Sequence, residues 1–176
     1  MKTPNFRRRQ TGAFAIELAF VLVGLIMIFY FMTDLSHKLL VRADLDRTSF
    51  SLANILKERT RYYDERFELN ANDASDMTTL AARLMNTTAN SVAIKIEALH
   101  DRAVLNEFTS DEYTNLSCNA PSITTRSDLA PVENGNIFSL YQVTLCEEND
   151  SWFAQVWGDS NSPTITITSS SVVIGR

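Results

Sequence analysis

The sequence predicts an α+β chain in which one long N-terminal helix, transmembrane in its first half, packs on a mostly antiparallel C-terminal sheet. Three observations predict it. Residues 13–32 are twenty consecutive positions that are apolar apart from Glu17. No glycine or proline occurs over residues 25–120, so nothing punctuates a helix where the apolar run ends. From residue 91 onward, short stretches of alternating polar and apolar residues recur between turn signals, as strands require. A helix followed by a run of strands is a layered arrangement in which the helix covers one sheet face.

The apolar run comes first. At about 1.5 Å rise per residue it spans roughly 30 Å, the thickness of a bilayer core. It exceeds the apolar region of a secretory signal peptide, and no small-residue cleavage site follows it, so it is expected to stay in the membrane. Arg7, Arg8 and Arg9 flank it on the N-terminal side, which places the N-terminus in the cytoplasm by the positive-inside rule. Lys38, Arg42 and Arg47 follow the span but are mixed with Asp34, Asp44 and Asp46. The bulk of the chain then lies outside the cytoplasmic membrane, with Tyr30 and Phe31 suited to the outer interface. The arginines also suggest twin-arginine export, but no later cleavage site or cofactor motif accompanies them.

Past the span the pattern becomes amphipathic. Val41, Leu45, Leu52, Leu56 and Tyr63 share a narrow stripe at 3.6-residue periodicity, and Ser36, Asp44, Arg47, Ser51, Asn54 and Glu58 lie roughly opposite. Asp34 with Lys38, and Arg42 with Asp46, are i,i+4 pairs of opposite charge. The helix is expected from about residue 13 to about residue 63. The stripe is too short and irregular to favour a coiled-coil dimer.

Residues 68–75, ELNANDAS, read as a polar loop without EF-hand spacing. Asp76 reads as the cap of a short helix over residues 77–85 with Leu80, Leu84 and Met85 on its buried side. In residues 91–98, Val92, Ile94 and Ile96 alternate with Ala93, Lys95 and Glu97. Residues 103–108 are a second strand, and 111–123 are irregular. ENGN at 133–136 is a turn signal before a strand over 137–146, where Tyr141, Val143 and Leu145 share a face. Residues 152–157 continue this strand series, 159–163 form a loop, and 164–168 and 172–174 are the closing strands.

Composition bounds the function. The net charge is −5, and Lys2, Arg7, Arg8 and Arg9 hold all the charge before Gly12; losing those four positives would take −5 to −9. Nucleic acid is therefore not an expected partner. Cys118 and Cys146 both fall in the exported part, where compartment favours a disulfide over two buried thiols. His37 and His100 have no metal-ligand spacing, His37 being placed for interfacial solvation. There is no Gly-rich phosphate loop, no G-x-S-x-G and no H-E-x-x-H. No catalytic residue, cofactor or metal is expected, and the chain is not expected to be an enzyme. Two N-x-S/T sequons, at Asn86 and Asn115, matter only where a host glycosylates them.

Two residues raise the apolar segment above a plain anchor. Gly12 ends the basic stretch directly before the run, and Glu17 is the fifth residue after that glycine. A carboxylate inside a membrane helix is costly unless paired or neutral, which makes it a functional candidate. Here the chain resembles the class III signal of type IV pilin-like proteins, whose short basic leader is cut after a glycine and whose mature chain carries glutamate fifth. The competing reading is an uncleaved signal anchor whose glutamate snorkels to the interface. Within pilin-like proteins the chain looks most like the pseudopilins of tight-adherence (Tad) pili, the TadE/TadF group, on its TadF side. RRRQTGAFAIE, the long helix and a sizeable exported domain carry that resemblance. Type IV major pilins usually begin with phenylalanine after cleavage, where Ala13 stands here, and usually carry a helix-kinking proline where Asp34 stands here.

The resemblance implies a pilin-like fold and a non-enzymatic minor pilin that primes, caps or supports assembly of a fibre used in adhesion and biofilm formation. Gly12 and Ala13 would be the processing site and Glu17 the assembly residue. The implied partners are a prepilin peptidase, other pilin-like subunits and an inner-membrane assembly platform, besides membrane lipid. The domain expectation is a cleaved leader over 1–12, a transmembrane helix over 13–33, its amphipathic continuation over 34–66 and an exported α+β domain over 67–176. A minor pseudopilin of a type II secretion system and an uncleaved, membrane-tethered periplasmic binding module are the alternatives.

Overall fold

A computed structural model describes residues 10–62, 69–157 and 164–175. Most of the expected leader, Tyr63 and the expected loop 159–163 lie outside those residues. The chain divides into two compact units. One is drawn from Met1–His37 and Ser151–Pro163, the other from Lys38–Asp150 and Thr164–Arg176. Helix α1, Gln10–Tyr62, contributes to both.

In the second unit, four strands form one antiparallel sheet. They are β1 (Val92–His100), β2 (Ala103–Thr109), β5 (Leu140–Asp150) and β6 (Thr164–Ile174), in the spatial order β2-β1-β5-β6. Strands β3 (Val132–Glu133) and β4 (Asn136–Ile137) form a separate hairpin. The expected long helix, antiparallel sheet and α+β class are present.

One sheet face holds the core. Ile94 lies opposite Leu145, Ile96 opposite Val143 and Ala98 opposite Tyr141, so β1 and β5 present one continuous apolar surface. The stripe of α1 lies on this core. Leu45, Leu52 and Leu56 are fully buried and Val41 packs at the margin, while Asp44 and Arg47 remain exposed. Helix α1 is also joined to β6 by hydroxyls. Ser49 Oγ is 3.1 Å from Ser169 Oγ and 2.8 Å from Ser171 Oγ, and Ser169 Oγ donates to Asp46 Oδ1 at 2.5 Å. The serine run is thus part of a strand, and the two closing strands expected at 164–168 and 172–174 are one.

The segment that reads as a polar loop is largely helical. Helix α2 spans Ala71–Leu84 and starts five residues before the expected cap. Asp73 N donates to Asn70 Oδ1 at 3.0 Å and Asn70 N donates to Asp73 Oδ2 at 2.7 Å, a reciprocal box. The Asn and Asp residues that suggest a loop are here the residues that begin a helix, and Asp76 sits inside it. Leu80 and Met85 pack against the core as expected, but Leu84 is exposed. Residues 152–157 also depart from expectation: they form a helical turn, α4 (Trp152–Trp157), rather than a strand.

The opposite sheet face mixes polar side chains with a smaller apolar cluster, Leu99 and Leu140 with Ile123 and Ala130, and is also covered. Residues 110–139 cross back over it, through a single helical turn α3 (Glu112–Asn115), a 3-10 segment (Ile123–Leu129) and the β3–β4 hairpin. The hairpin turn is the expected ENGN, with Asn134 at φ 53° and Gly135 at φ 85°, the left-handed pair a two-residue turn needs. Cys118 is joined to Cys146 of β5, with Cα atoms 6.1 Å apart. Beneath this cover Glu97 is fully buried. It accepts from Gln142 Nε2 at 2.9 Å and Ser122 Oγ at 3.0 Å, and lies 3.2 Å from Lys95 Nζ, which also reaches Glu107 at 3.0 Å. A buried carboxylate is tolerated only when its charge is paired and its lone pairs are occupied, and this one meets both conditions. Burial pushes the Lys95 amine down, but its hydrogen bond to Glu107 and the charge of Glu97 outweigh burial and leave its pKa raised.

Candidate functional site

The first unit has a different character. Gly12, Ala13 and Glu17 lie in the opening turns of α1 and are exposed. A Cβ added at Gly12 would meet nothing within 4 Å. A glycine inside a helix costs about 1 kcal/mol relative to alanine, and no packing among the described residues requires one here. Glu17 pairs with no described side chain. Around it Phe14, Ile16, Phe20 and Val21 are all exposed, Phe20 by 75 %.

Helix α1 contains a stretch long and apolar enough to cross a membrane, and none of its most apolar window is buried inside the protein. Contiguous apolar surface on this scale belongs in lipid or against other helices.

At the far end of the unit the helix is no longer bare. Asp34 is buried. Its Oδ1 accepts from Trp152 N at 2.9 Å and its Oδ2 from Ser151 Oγ at 3.0 Å. Ser151 in turn starts α4, its Oγ accepting from Ala154 N at 3.3 Å and its carbonyl from Gln155 N at 3.1 Å. His37 stacks on Trp152 with ring centroids 5.1 Å apart, and Phe31 meets Phe153 edge-on at 5.8 Å. One turn of α1 after another thus carries Phe31, Asp34 and His37 on the face that holds α4.

In the sequence Asp34 stands only as an i,i+4 partner of Lys38 and in the place of a proline, and His37 as an interfacial residue. The missed signal is compositional. A six-residue uncharged stretch, WFAQVW, holds both tryptophans of the chain, and an acid just past an apolar span needs donors.

Elsewhere the chemistry is sparse. Among the described residues, no group of three or more His, Cys, Asp or Glu side chains could hold a metal ion. His100 Nδ1 lies 2.8 Å from Ser139 Oγ. An open groove of about 460 Å³ runs between the start of α2 and the end of β2. Its Thr78 and Thr79 hydroxyls donate to their own helix, at Ala74 O and Ser75 O, and do not converge on a ligand.

A single apolar helix with one acid near its start, continuing into an antiparallel α+β unit, is the pattern of a pilin-like protein. The sequence agrees over nearly its whole length: the family model for TadF, tight adherence pilin protein F, matches residues 5–176, and the chain belongs to that family. The family is one of pilin subunits, structural rather than catalytic. No curated protein and no solved structure matches the chain.

Proposed function

We propose that this chain is a minor pilin of a tight-adherence type IV pilus, made as a prepilin and cut between Gly12 and Ala13 by a prepilin peptidase. It then acts without catalysis, priming, capping or supporting a fibre for adhesion and biofilm formation. It resides in the bacterial inner membrane as a single-pass protein, N-terminus in the cytoplasm and the C-terminal domain in the periplasm. It meets the other pilin-like subunits and the inner-membrane assembly platform there. The family match favours this system over type II secretion.

The observation that carries the proposal is Glu17, a carboxylate on a bare apolar helix with no partner of its own among the described residues. Cleavage supplies one. The new α-amino group of Ala13 has an unperturbed pKa near 8 and is mostly protonated at neutral pH. It stands one turn away, about 6 Å along the axis, where its own Glu17 meets it poorly. The amine of an axially shifted neighbour meets Glu17 better. Burying either charge alone is costly, so pairing them between subunits couples neutralisation to register.

Glu17→Ala is expected to insert and be cleaved normally yet fail to enter the assembly, and Glu17→Asp to be partly defective through its shorter reach. Membrane level, cleavage and crosslinking to the other pilin-like subunits, measured in the same cells, test this. Wild-type crosslinking and fibres with Glu17→Ala would mean that the glutamate merely snorkels.

A further inference from the structure

We propose that α4 is a membrane-interface element: Trp152–Trp157 lies in the outer headgroup layer of the bilayer that α1 crosses, and its ligand is phospholipid. The inference goes beyond the pilin assignment and requires only that α1 spans the membrane.

Depth is set by the residues that hold α4. From Ala13 to Asp34 the helix rises about 32 Å, close to the thickness of the hydrocarbon core. Phe31, Asp34 and His37 therefore stand where the span emerges, and α4 is fastened to those three side chains. The fastening is specific. Asp34 takes both the Trp152 amide and the Ser151 hydroxyl, so the first turn of α4 is fixed on the helix face. Six residues do not hold a helix in water unaided, so these contacts are what order it.

What α4 presents fits this depth. Its sequence, WFAQVW, carries no charge. Trp152 is 46 % exposed and Val156 56 %, while Phe153 turns inward onto Phe31. A turn that served only as core would bury these side chains. Their exposed surface is continuous in kind with that of α1 beside it, where Phe31, Met32 and Leu35 are also exposed. Tryptophan concentrates at the membrane–water boundary because its large ring is apolar while its N–H still needs a polar partner. Lipid headgroups and the first acyl carbons meet both requirements at this position. A neighbouring subunit is the competing occupant.

The chain has two tryptophans, at positions 152 and 157, so its tryptophan emission reports α4 alone. The full chain is reconstituted in phosphatidylethanolamine–phosphatidylglycerol vesicles containing phosphatidylcholine brominated at either a shallow or a deep acyl position. Flotation after carbonate extraction reports insertion of α1 separately. Expected are blue-shifted emission, strong quenching by the shallow bromines, weaker quenching by the deep ones and little by aqueous iodide. In Asp34→Ala, α1 still floats with the vesicles but the depth preference is lost. Floating protein whose emission ignores the bromines overturns the inference, whether iodide reaches the tryptophans (a solvated turn) or not (a turn covered by protein). Protein that does not float overturns the spanning reading of α1, and the inference with it.

Discussion

Leu52 and Phe20 sit in the same helix, and their surroundings are opposite. Leu52 is fully buried in the core of the second unit, whereas Phe20 of the first is 75 % exposed. Beyond residue 38, Val41, Leu45, Leu52 and Leu56 of α1 form a stripe that the chain's own sheet covers, while Leu39, Leu40, Phe50 and Ile55 off the stripe stay exposed. Over residues 13–32 apolar side chains surround the helix, and its most apolar window is not buried inside the described chain, Phe31 at its end meeting Phe153. A stripe is the pattern of a helix packed on one side, and an apolar surface all round is the pattern of a helix immersed in lipid or among other helices. The two acids of the first unit differ in a similar way. Asp34 is buried on donors supplied by its own chain, while Glu17 stands exposed without a described partner. The stripe and Asp34 find their partners within the described chain, whereas the apolar surface around Glu17 is built for an environment the described chain does not supply.

The contrast can be broken by mutation. Leu52→Ala removes a fully buried side chain and is expected to destabilise the second unit by about 3–5 kcal/mol. Phe20→Ala deletes more apolar surface, yet urea unfolding of the same unit in detergent should shift by less than about 0.5 kcal/mol. Equal effects would mean that the two regions share one core. A loss comparable to that of Leu52→Ala, about 3–4 kcal/mol in the chain-entropy model, is expected when Cys118 and Cys146, 28 residues apart, are both replaced by serine. Alkylation of unreduced native protein followed by non-reducing mass spectrometry should find no free thiol. Quantitative alkylation of both cysteines would reject the pairing.

Legibility divided along similar lines. The helix stripe, the alternation in β1, the ENGN turn and the bare span are local signals, and the described residues that carry them in the sequence carry them in the structure, Tyr63 of the stripe lying outside those residues. What stayed hidden depends on contacts distant in sequence. Asn70 and Asp73 look like loop formers until they cap α2 reciprocally. Lys95 and Glu97 read as the polar side of a strand, but residues 110–139 cover that side and turn them into a buried pair. The helical α4 is short, aromatic and free of charge, which resembles a strand until Asp34, more than one hundred residues earlier, anchors its first turn. Of the candidate site, Gly12, Ala13 and Glu17 are singled out in the sequence by local spacing, and the structure shows them exposed in the opening turns of α1. The cluster of Asp34, His37, Trp152 and Phe153 was not, because no sequence period links the two segments.

On the proposed function, the bare half of α1 becomes a pilin helix by losing its leader. N-terminal sequencing and intact mass of membrane-extracted protein, from cells that contain the prepilin peptidase, test it directly. The expected mature chain begins at Ala13 with the twelve preceding residues absent. A chain still beginning at Met1 in those cells contradicts the account, because Glu17 would then have no new amine to pair with.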